Sequence, residues 1–210
     1  MKSNKSRIKG LFHRNRNLNA ILDKLAGTLL RNLDLKNALE NIAVSDSPNI
    51  NIKEYLEKFA KKEEKERISD YNYRLACEKH RSNSGPSAKF SPIYYDVPYQ
   101  FILLTGKIPV ANIGFKADIE TSTIIIKQIQ GVSGRKEYLE PLRWEKMLVN
   151  ILADWAKQNG AKKMEIIKAQ SNPWYNEHRA QSMYLKYDVT AKRCGFKFNA
   201  DCERYVKILD

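Results

Sequence analysis

A glycine-containing segment in the middle of the chain has the residue types of a phosphate-binding turn. Residues 128–134 read QIQGVSG and precede a strongly periodic helix. Glycines ahead of a helix can turn backbone N–H groups toward a phosphate, and the helix macrodipole adds to the attraction. Gly131-x-x-Gly134, however, lacks the Lys-Ser/Thr pair of a P-loop and the third glycine of a dinucleotide-binding fingerprint. The segment therefore does not predict nucleotide binding by either of those routes.

The cysteines and histidines do not predict a metal site. Three cysteines and three histidines lie far apart in the chain, and no pair has the spacing of metal ligands. An odd, small number of cysteines also argues against a disulfide framework. We expect reduced thiols, no bound metal and no His-based catalytic pair.

The N-terminus is the most basic part of a basic chain. The formal net charge is +13, and six cations precede the first acid, Asp23: Lys2, Lys5, Arg7, Lys9, Arg14 and Arg16. Such a segment is typical of a surface that binds nucleic acid or another polyanion. A solvated, frayed terminus explains the same composition, and the sequence leaves both interpretations open.

A tyrosine cluster lies just before the middle of the chain. Tyr94, Tyr95 and Tyr99 could stack on nucleic-acid bases beside the basic segment. We favour the alternative that the rings pack over the edge of a sheet, which is the commoner role of such clusters.

The first half of the chain predicts helices. Apolar residues recur at helical spacing over residues 17–43, and Asn51 with Glu54 has the spacing of a capping box that opens a second helix. We expect the buried side of that second helix to carry Tyr55, Leu56, Phe59, Ile68, Tyr71 and Leu75. A Ser-, Gly- and Pro-containing stretch at residues 81–92 predicts a loop. These features divide the chain into a basic flexible tail (1–17), a helical region (18–90) and an α/β domain (91–210).

The second half predicts a mixed α+β domain. Three strand-like runs at residues 99–105, 110–118 and 123–130 are separated by short polar connections, which indicates an antiparallel meander. A helix with Pro141 in its first turn follows, then Asn159-Gly160 as its end and a short strand at 163–169. A strand, a helix and a strand in this order predict a right-handed crossover between parallel strands. A last helix over residues 177–194 and a closing hairpin complete the domain.

This order of elements resembles that of the GNAT acetyltransferases, over about residues 99–209. Residues 155–166 (WAKQNGAKKMEI) are similar to the passage from helix to fifth strand in that family, and residues 192–196 (KRCGF) resemble its Gly-Phe after the last helix. Asn172 matches an Asn often found after that strand. The resemblance implies a mostly antiparallel GNAT-like sheet with one β-α-β crossover.

The resemblance also implies an acetyl-CoA site. The family's turn, (Gln/Arg)-x-x-Gly-x-(Gly/Ala), is matched in its first four positions, whereas Ser133 stands where Gly or Ala is expected, and residues 135–140 separate the glycines from the helix. If the start of the helix is aligned instead, residues 142–146 replace the turn and place the bulk of Trp144 and the carboxylate of Glu145 where a phosphate would approach. The cofactor-binding residues implied by the resemblance are Gln128, Ile129, Gln130, Gly131, Val132, Gly134, Arg143 and Asn172.

The family's general acid, a Tyr on the last helix, has no counterpart at the expected position. Ala191 stands there, and Tyr187 lies one turn earlier on the same helical face. Tyr187 is the candidate catalytic residue, with a core aromatic role as the alternative. Asp118 and Glu120 are the carboxylates that the meander offers as a general base.

Two functions therefore remain open. The first is an acyltransferase that moves an acetyl group from acetyl-CoA to an amine. The second is a non-catalytic GNAT-fold protein that binds nucleic acid or an acidic partner through residues 1–17. No run of roughly 18 apolar residues predicts a membrane span, and the N-terminus lacks the apolar segment of a signal peptide, so we expect a cytoplasmic protein. The sequence predicts no oligomeric state.

Overall fold

The computed structural model describes residues 5–44, 48, 50–80, 84–87 and 89–209, and it describes side chains from Ala20 onwards except at residues 43 and 44. Helix α1 runs over Lys5–Val44 and thus begins inside the segment assigned to the tail, of which residues 1–4 lie outside the description. Its C-terminal third packs on the body through Leu35, Leu39 and Ile42. The predicted amphipathic helix over residues 17–43 is part of α1.

The second helical prediction is right at its start and wrong at its end. Helix α2 covers Ile52–Phe59 and α3 covers Lys65–Asp70, but the chain then enters strand β1, Tyr73–Lys79. Tyr73, Leu75 and Cys77 are buried against the main core, while Arg74 between them is exposed. This period of two is that of a strand. The helical region therefore ends at Asp70, not at residue 90.

The meander is confirmed. After a small two-stranded sheet of β2 (Gly85–Pro86) and β3 (Tyr94–Tyr95), the chain forms β4 (Tyr99–Thr105), β5 (Ile108–Asp118) and β6 (Thr123–Gly131). These three strands and β1 pair antiparallel in the order β1-β4-β5-β6.

The crossover is also confirmed, with one added helix. The chain leaves β6, forms the short helix α4 (Lys136–Leu139) and then α5 (Trp144–Gln158), and returns as β7 (Lys163–Ile167) parallel to β6. Helix α5 begins three residues after Pro141, which instead lies in the segment between α4 and α5. Trp144, Met147, Leu148, Ile151, Leu152 and Trp155 are all buried, as the periodicity predicts.

The last predicted helix is interrupted by a π-helical turn. Its parts are a 3-10 turn (Glu177–Arg179), α6 (Ala180–Tyr184), the π turn (Leu185–Val189) and α7 (Thr190–Arg193). Strands β8 (Lys197–Asn199) and β9 (Arg204–Ile208) follow as the predicted hairpin, and β9 pairs with β7. The described sheet has seven strands in the order β1-β4-β5-β6-β7-β9-β8, mostly antiparallel, so the α+β fold class is confirmed.

The two faces of the sheet have separate apolar clusters. Phe101 and Phe115 pack edge-to-face and lie against Trp155 of α5 in the main core. On the opposite face Ile102, Leu104 and Val132 form a smaller cluster with Ile93 of the β2–β4 segment. Among the described helices, none combines the length and the apolar character that crossing a membrane requires.

Candidate acyl-donor site

Strand β6 extends beyond the end of its parallel neighbour β7, which stops at Ile167. Their parallel pairing runs from Thr123↔Lys163 to Ile126↔Ile166, whereas β6 continues to Gly131. Because successive residues of a strand direct their backbone groups to alternate sides, Lys127, Ile129 and Gly131 direct theirs toward the gap. The chain therefore leaves part of a strand edge without a neighbouring strand.

Tyr187 and Asn172 bridge the first part of this gap. The Tyr187 hydroxyl accepts hydrogen bonds from the Ile129 N–H at 3.1 Å and from Asn172 Nδ2 at 2.9 Å, and it donates to the Lys127 carbonyl at 3.2 Å. Asn172 Nδ2 also lies 3.2 Å from the same carbonyl. A hydroxyl has one hydrogen and two acceptor positions, so all of its bonding capacity is used within the protein. Burial raises the pKa of Tyr187 well above its usual value.

The π turn explains why Tyr187 reaches the strand. Tyr187 and the next residue, Asp188, are both only 3% exposed, although consecutive residues of a regular α-helix point about 100° apart. Asp188 accepts hydrogen bonds from the Ala169 N–H and the Tyr205 hydroxyl, at 3.0 and 2.9 Å. These bonds hold the widened turn, a feature that is frequent at functional sites.

A cavity of about 510 Å³ occupies the gap between the free edge of β6 and the last helix. A volume of this size is in the range of small-ligand sites. The residues that line it are Tyr94, Gln128, Ile129, Gln130, Gly131, Asn172, Trp174, Arg179, Ser182, Met183, Lys186 and Tyr187.

Six of the residues identified from the sequence meet at this cavity. They are Gln128, Ile129, Gln130, Gly131, Asn172 and Tyr187.

The other three lie elsewhere. Val132 is buried in the cluster on the opposite face and donates its N–H to the Val110 carbonyl. Gly134 lies in an open turn with φ +72°, and the Arg143 N–H donates to the Phe59 carbonyl at 3.0 Å.

Asp118 and Glu120 lie near the other end of the sheet. Asp118 ends β5 and Glu120 lies in the β5–β6 turn, shortly before Thr123 at the start of β6. Gly131 is eight positions further along β6, roughly 26 Å from Thr123. Asp118 there accepts a hydrogen bond from the Thr121 N–H.

The N-terminus of α5 is already covered by protein groups. The segment after α2 pairs with the residues before α5, because Lys61 donates its N–H to the Pro141 carbonyl and Arg143 donates to Phe59. Glu145 lies in the first turn, where its carboxylate accepts from its own backbone N–H. A Cβ added at Gly131 would lie only 3.1 Å from Leu139 and 3.4 Å from the Trp144 ring. The Arg143 and Glu145 N–H groups are therefore already bound, and the Glu145 carboxylate lies where a phosphate would have to approach.

Two cations lie instead on the cavity wall formed by the last helix. Arg179 is exposed and Lys186 is half-buried, and both line the cavity. Burial lowers the pKa of Lys186. The negative charge of Glu145 partly opposes this shift, and the positive charge of Arg179 adds to it. Burial raises the pKa of Glu145, opposed by its own N–H and by Lys186, Lys61 and Arg193. This wall has an excess of positive charge.

The opposite wall is aromatic. Tyr94 and Trp174 meet edge-to-face at 6.1 Å, and the Trp174 indole N–H donates to Asp96 at 3.2 Å. The second oxygen of Asp96 is buried with no hydrogen-bond partner among the described residues. The Tyr94 carbonyl accepts from Gln128 Nε2 at 2.6 Å, which ties this wall to β6.

Half of the lining residues were not among the candidate site residues of the sequence. Arg179, Ser182, Met183 and Lys186 share one face of the predicted last helix with Tyr187, so the helical period could have indicated them once that face was known. No local pattern indicates Trp174 or Asp96. In the described part of the chain no group of three or more His, Cys, Asp or Glu residues converges as a metal site.

Comparison with known proteins gives structural matches only. No protein-family model matches the sequence, and no curated protein matches it either. The solved structures that are similar include a putative N-acetyltransferase from Lactobacillus plantarum, with 19% identity over 53% of this chain and 69% of that one at a TM-score of 0.36.

Two further matches have similar values. A GNAT-family acetyltransferase from Staphylococcus aureus Mu50 is 12% identical to this chain. The match covers 53% of this chain and 68% of that one, with a TM-score of 0.37. A nourseothricin acetyltransferase is 9% identical to this chain. The match covers 66% of this chain and 99% of that one, with a TM-score of 0.37.

The topology of the described sheet is GNAT-like. The sheet order, the single parallel pair and the crossover are those implied by the resemblance in the sequence. Within this GNAT-like fold the free β6 edge fits a narrow ligand arm that carries amides, because it offers backbone groups in strand geometry. The closed N-terminus of α5 does not fit a pyrophosphate.

Proposed function

We propose that this protein is an N-acyltransferase that moves an acetyl group from acetyl-CoA to a primary amine. The observation that carries the proposal is the free edge of β6 beyond the end of β7, which forms one wall of a ligand-sized cavity facing the last helix. When bound, acetyl-CoA supplies the acetyl group as an activated thioester.

The backbone of β6 orients the donor. The carbonyl of Ile129 and the N–H of Gly131 face the gap by strand alternation, so they can pair with the two amides of a pantetheine arm as a neighbouring strand would. Such pairing fixes the position of the thioester along the strand. Proximity and orientation of this kind supply a large part of the rate acceleration in acyl transfer.

Tyr187 acts as a positioning residue in this proposal. Its hydroxyl is fully hydrogen-bonded, and it would have to break its bond to the Lys127 carbonyl before giving its proton to a departing thiolate. The raised pKa of Tyr187 also makes it a weaker acid. Its bonds to β6 keep Ile129 and Asn172 at the spacing that the gap requires.

The aromatic wall favours an amine acceptor. An ammonium group is attracted to the faces of Tyr and Trp rings, and the Asp96 carboxylate lies directly behind Trp174. The charge of Asp96 also reaches the far side of the cavity, since it adds to the effect of burial in raising the pKa of Tyr187 on the last helix. Asp96 is therefore the carboxylate that we place nearest to the amine.

Binding of acetyl-CoA tests the proposal directly. We expect calorimetry to detect one site, and about 2.7 kcal/mol of stabilisation when the ligand is at 100 times its Kd. Ser182→Trp should fill the cavity and abolish binding, whereas Gln181→Trp, at the adjacent exposed position that does not line it, should not.

Catalysis is tested by incubating acetyl-CoA with primary amines and measuring released thiol. Amine-dependent release that is lost in Ser182→Trp and kept in Gln181→Trp is the expected result. Absence of binding at millimolar acetyl-CoA would remove the proposal.

A further inference from the structure

The usual means of holding a phosphate in this fold is closed in this chain, and the cavity offers another. At the N-terminus of α5 the Glu145 carboxylate and the Phe59 carbonyl already accept backbone N–H groups. The Trp144 ring packs beside Gly131. An anionic ligand in the cavity must therefore find its counter-charges on side chains.

The last helix presents those side chains in one row. Arg179, Ser182 and Lys186 are three and four residues apart and line the cavity together. Residues at this spacing share a helix face. Their guanidinium, hydroxyl and ammonium groups are all hydrogen-bond donors.

The two cations form no direct ion pair with a described residue, although the charge of Glu145 acts on Lys186 from a greater distance. Among the described residues, neither Arg179 nor Lys186 has a carboxylate within 4.0 Å, and no hydrogen bond of either side chain is present. They are close enough that Arg179 disfavours the charged form of Lys186. Two adjacent cations on a cavity wall are stabilised when an anion lies between them.

We propose that Arg179, Ser182 and Lys186 bind the phosphate groups of the acyl donor, in place of the N-terminus of α5. This proposal rests on the proposed function and names the residues that select a phosphorylated pantetheine over pantetheine itself. The donor's arm lies along β6 and its phosphates lie against the last helix.

The test compares two ligands that differ in phosphate content. Binding of CoA and of reduced pantetheine is measured by calorimetry for the parent protein, for the double variant Arg179→Gln/Lys186→Gln, and for Lys192→Gln. Lys192 is an exposed cation of the same helix that does not line the cavity. Circular dichroism and thermal unfolding check that each variant is folded.

We expect the double variant to lose at least about tenfold in affinity for CoA, since bonds to charged groups are strong, while its affinity for pantetheine is unchanged. Lys192→Gln should bind both ligands as the parent does. An unchanged ratio of CoA to pantetheine affinity in the double variant would overturn the phosphate assignment and leave the proposed function standing. If neither ligand binds the parent protein, the proposed function fails first and this inference fails with it.

A separate surface of the protein, the apolar stripe of α1, carries a second inference. Six large apolar side chains of this helix are between 52% and 69% exposed: Ile21, Leu22, Leu25, Leu29, Leu30 and Leu33. We call these residues the α1 stripe. Helix α1 contacts the body from about Arg31 onwards, where Asn32 bonds to Ser122 and Leu35 is fully buried. Between residues 20 and 34 no side chain is buried.

The α1 stripe is large enough for a stable association. Each of its side chains exposes on the order of 100 Å², and the whole stripe on the order of 700 Å², close to the roughly 800 Å² per partner of a standard interface. Isolated apolar side chains are normal on a surface, but a contiguous patch above about 600 Å² marks an interaction site.

We infer that the α1 stripe pairs with the α1 stripe of a second copy, with the two helices antiparallel. In a parallel pair the basic ends of the two chains, which carry no acid before Asp23, would lie side by side and repel. An antiparallel pair that crosses near Gly27 separates these ends.

The oligomeric state tests this inference. We expect a dimer by analytical ultracentrifugation, and a monomer for Leu25→Glu/Leu29→Glu, both of which are exposed positions that can change without loss of the fold. Lys36→Glu changes the net charge by the same amount at an exposed position outside the stripe and should remain dimeric. A parent protein that is monomeric at micromolar concentration would overturn the inference. A monomer that cosediments with phosphatidylserine vesicles would overturn it in favour of a membrane surface.

Discussion

Replacing Tyr187 by Phe separates a positioning role from an acid role. The substitution removes the hydroxyl that accepts from the Ile129 N–H and from Asn172, and that donates to the Lys127 carbonyl. The carbonyl keeps a second donor, because Asn172 Nδ2 lies 3.2 Å from it. The Ile129 N–H is the group left without its partner in a buried site.

The expected loss of stability follows from that one orphaned donor. Leaving a buried donor unsatisfied costs about 1–3 kcal/mol. For a chain of this length each kcal/mol lowers the melting temperature by roughly 2–4 °C, so we expect a decrease of about 2–12 °C. Tyr184→Phe is the matched control, since Tyr184 lies in the same helix and is 47% exposed. Its stability should change by less than about 0.5 kcal/mol.

The kinetic result distinguishes the two roles. A positioning Tyr187 predicts that Tyr187→Phe raises the KM for acetyl-CoA through a disturbed gap, while the pH profile of kcat keeps its shape. A general acid instead predicts a fall in kcat of about 10²–10⁴ and a changed alkaline limb. Unfolding in urea and steady-state kinetics from pH 6 to 10 measure both. A variant as stable as the parent, with kcat reduced a thousandfold, would refute our reasoning about this hydroxyl.

Three further substitutions test the packing around the site. Gly160→Ala should destabilise the fold by about 1–3 kcal/mol more than Gly134→Ala. Both glycines have positive φ, but only at Gly160 would a Cβ lie 2.8 Å from the Arg31 carbonyl oxygen. Equal losses of stability in urea unfolding would show that α1 does not press on Gly160. Burial raises the pKa of Glu145, so the folded state holds this proton more tightly and stability falls as the pH rises above the usual carboxyl range. Glu145→Gln should therefore be more stable than the parent at pH 7, with a difference that disappears near pH 4, and a variant less stable at pH 7 contradicts this. Asp188→Ala leaves two buried donors unpaired and should cost about 2–5 kcal/mol by urea unfolding, whereas a loss below 1 kcal/mol would mean that the π turn does not depend on them.

The sequence was sufficient for elements whose signal is local. Strands β4, β5 and β6 were placed within two residues of their observed bounds, because alternation and short polar turns are properties of neighbouring residues. The buried face of α5 was found for the same reason. Gln128, Gly131 and Asn172, which the resemblance to the GNAT family implied as cofactor-binding residues, do line one cavity.

Long-range contacts decided what the sequence could not. Residues 73–79 were assigned to a helix because Ile68, Tyr71 and Leu75 have helical spacing, yet pairing with β4 makes them a strand. The closure of the α5 N-terminus depends on Phe59, which is more than eighty residues away in the chain. No local pattern marks such a contact.

The amino-acid sequence by itself determined the periodic elements, the crossover and the positions of the chemically useful residues along the chain. Only the tertiary structure decided that β6 keeps a free edge, that Tyr187 closes part of it with its hydroxyl, and that the distant Phe59 carbonyl binds the Arg143 N–H at the start of α5. The physical reason is that periodicity depends on the rotation between adjacent residues, whereas a hydrogen bond or a buried charge depends on which distant groups the fold brings within a few ångströms.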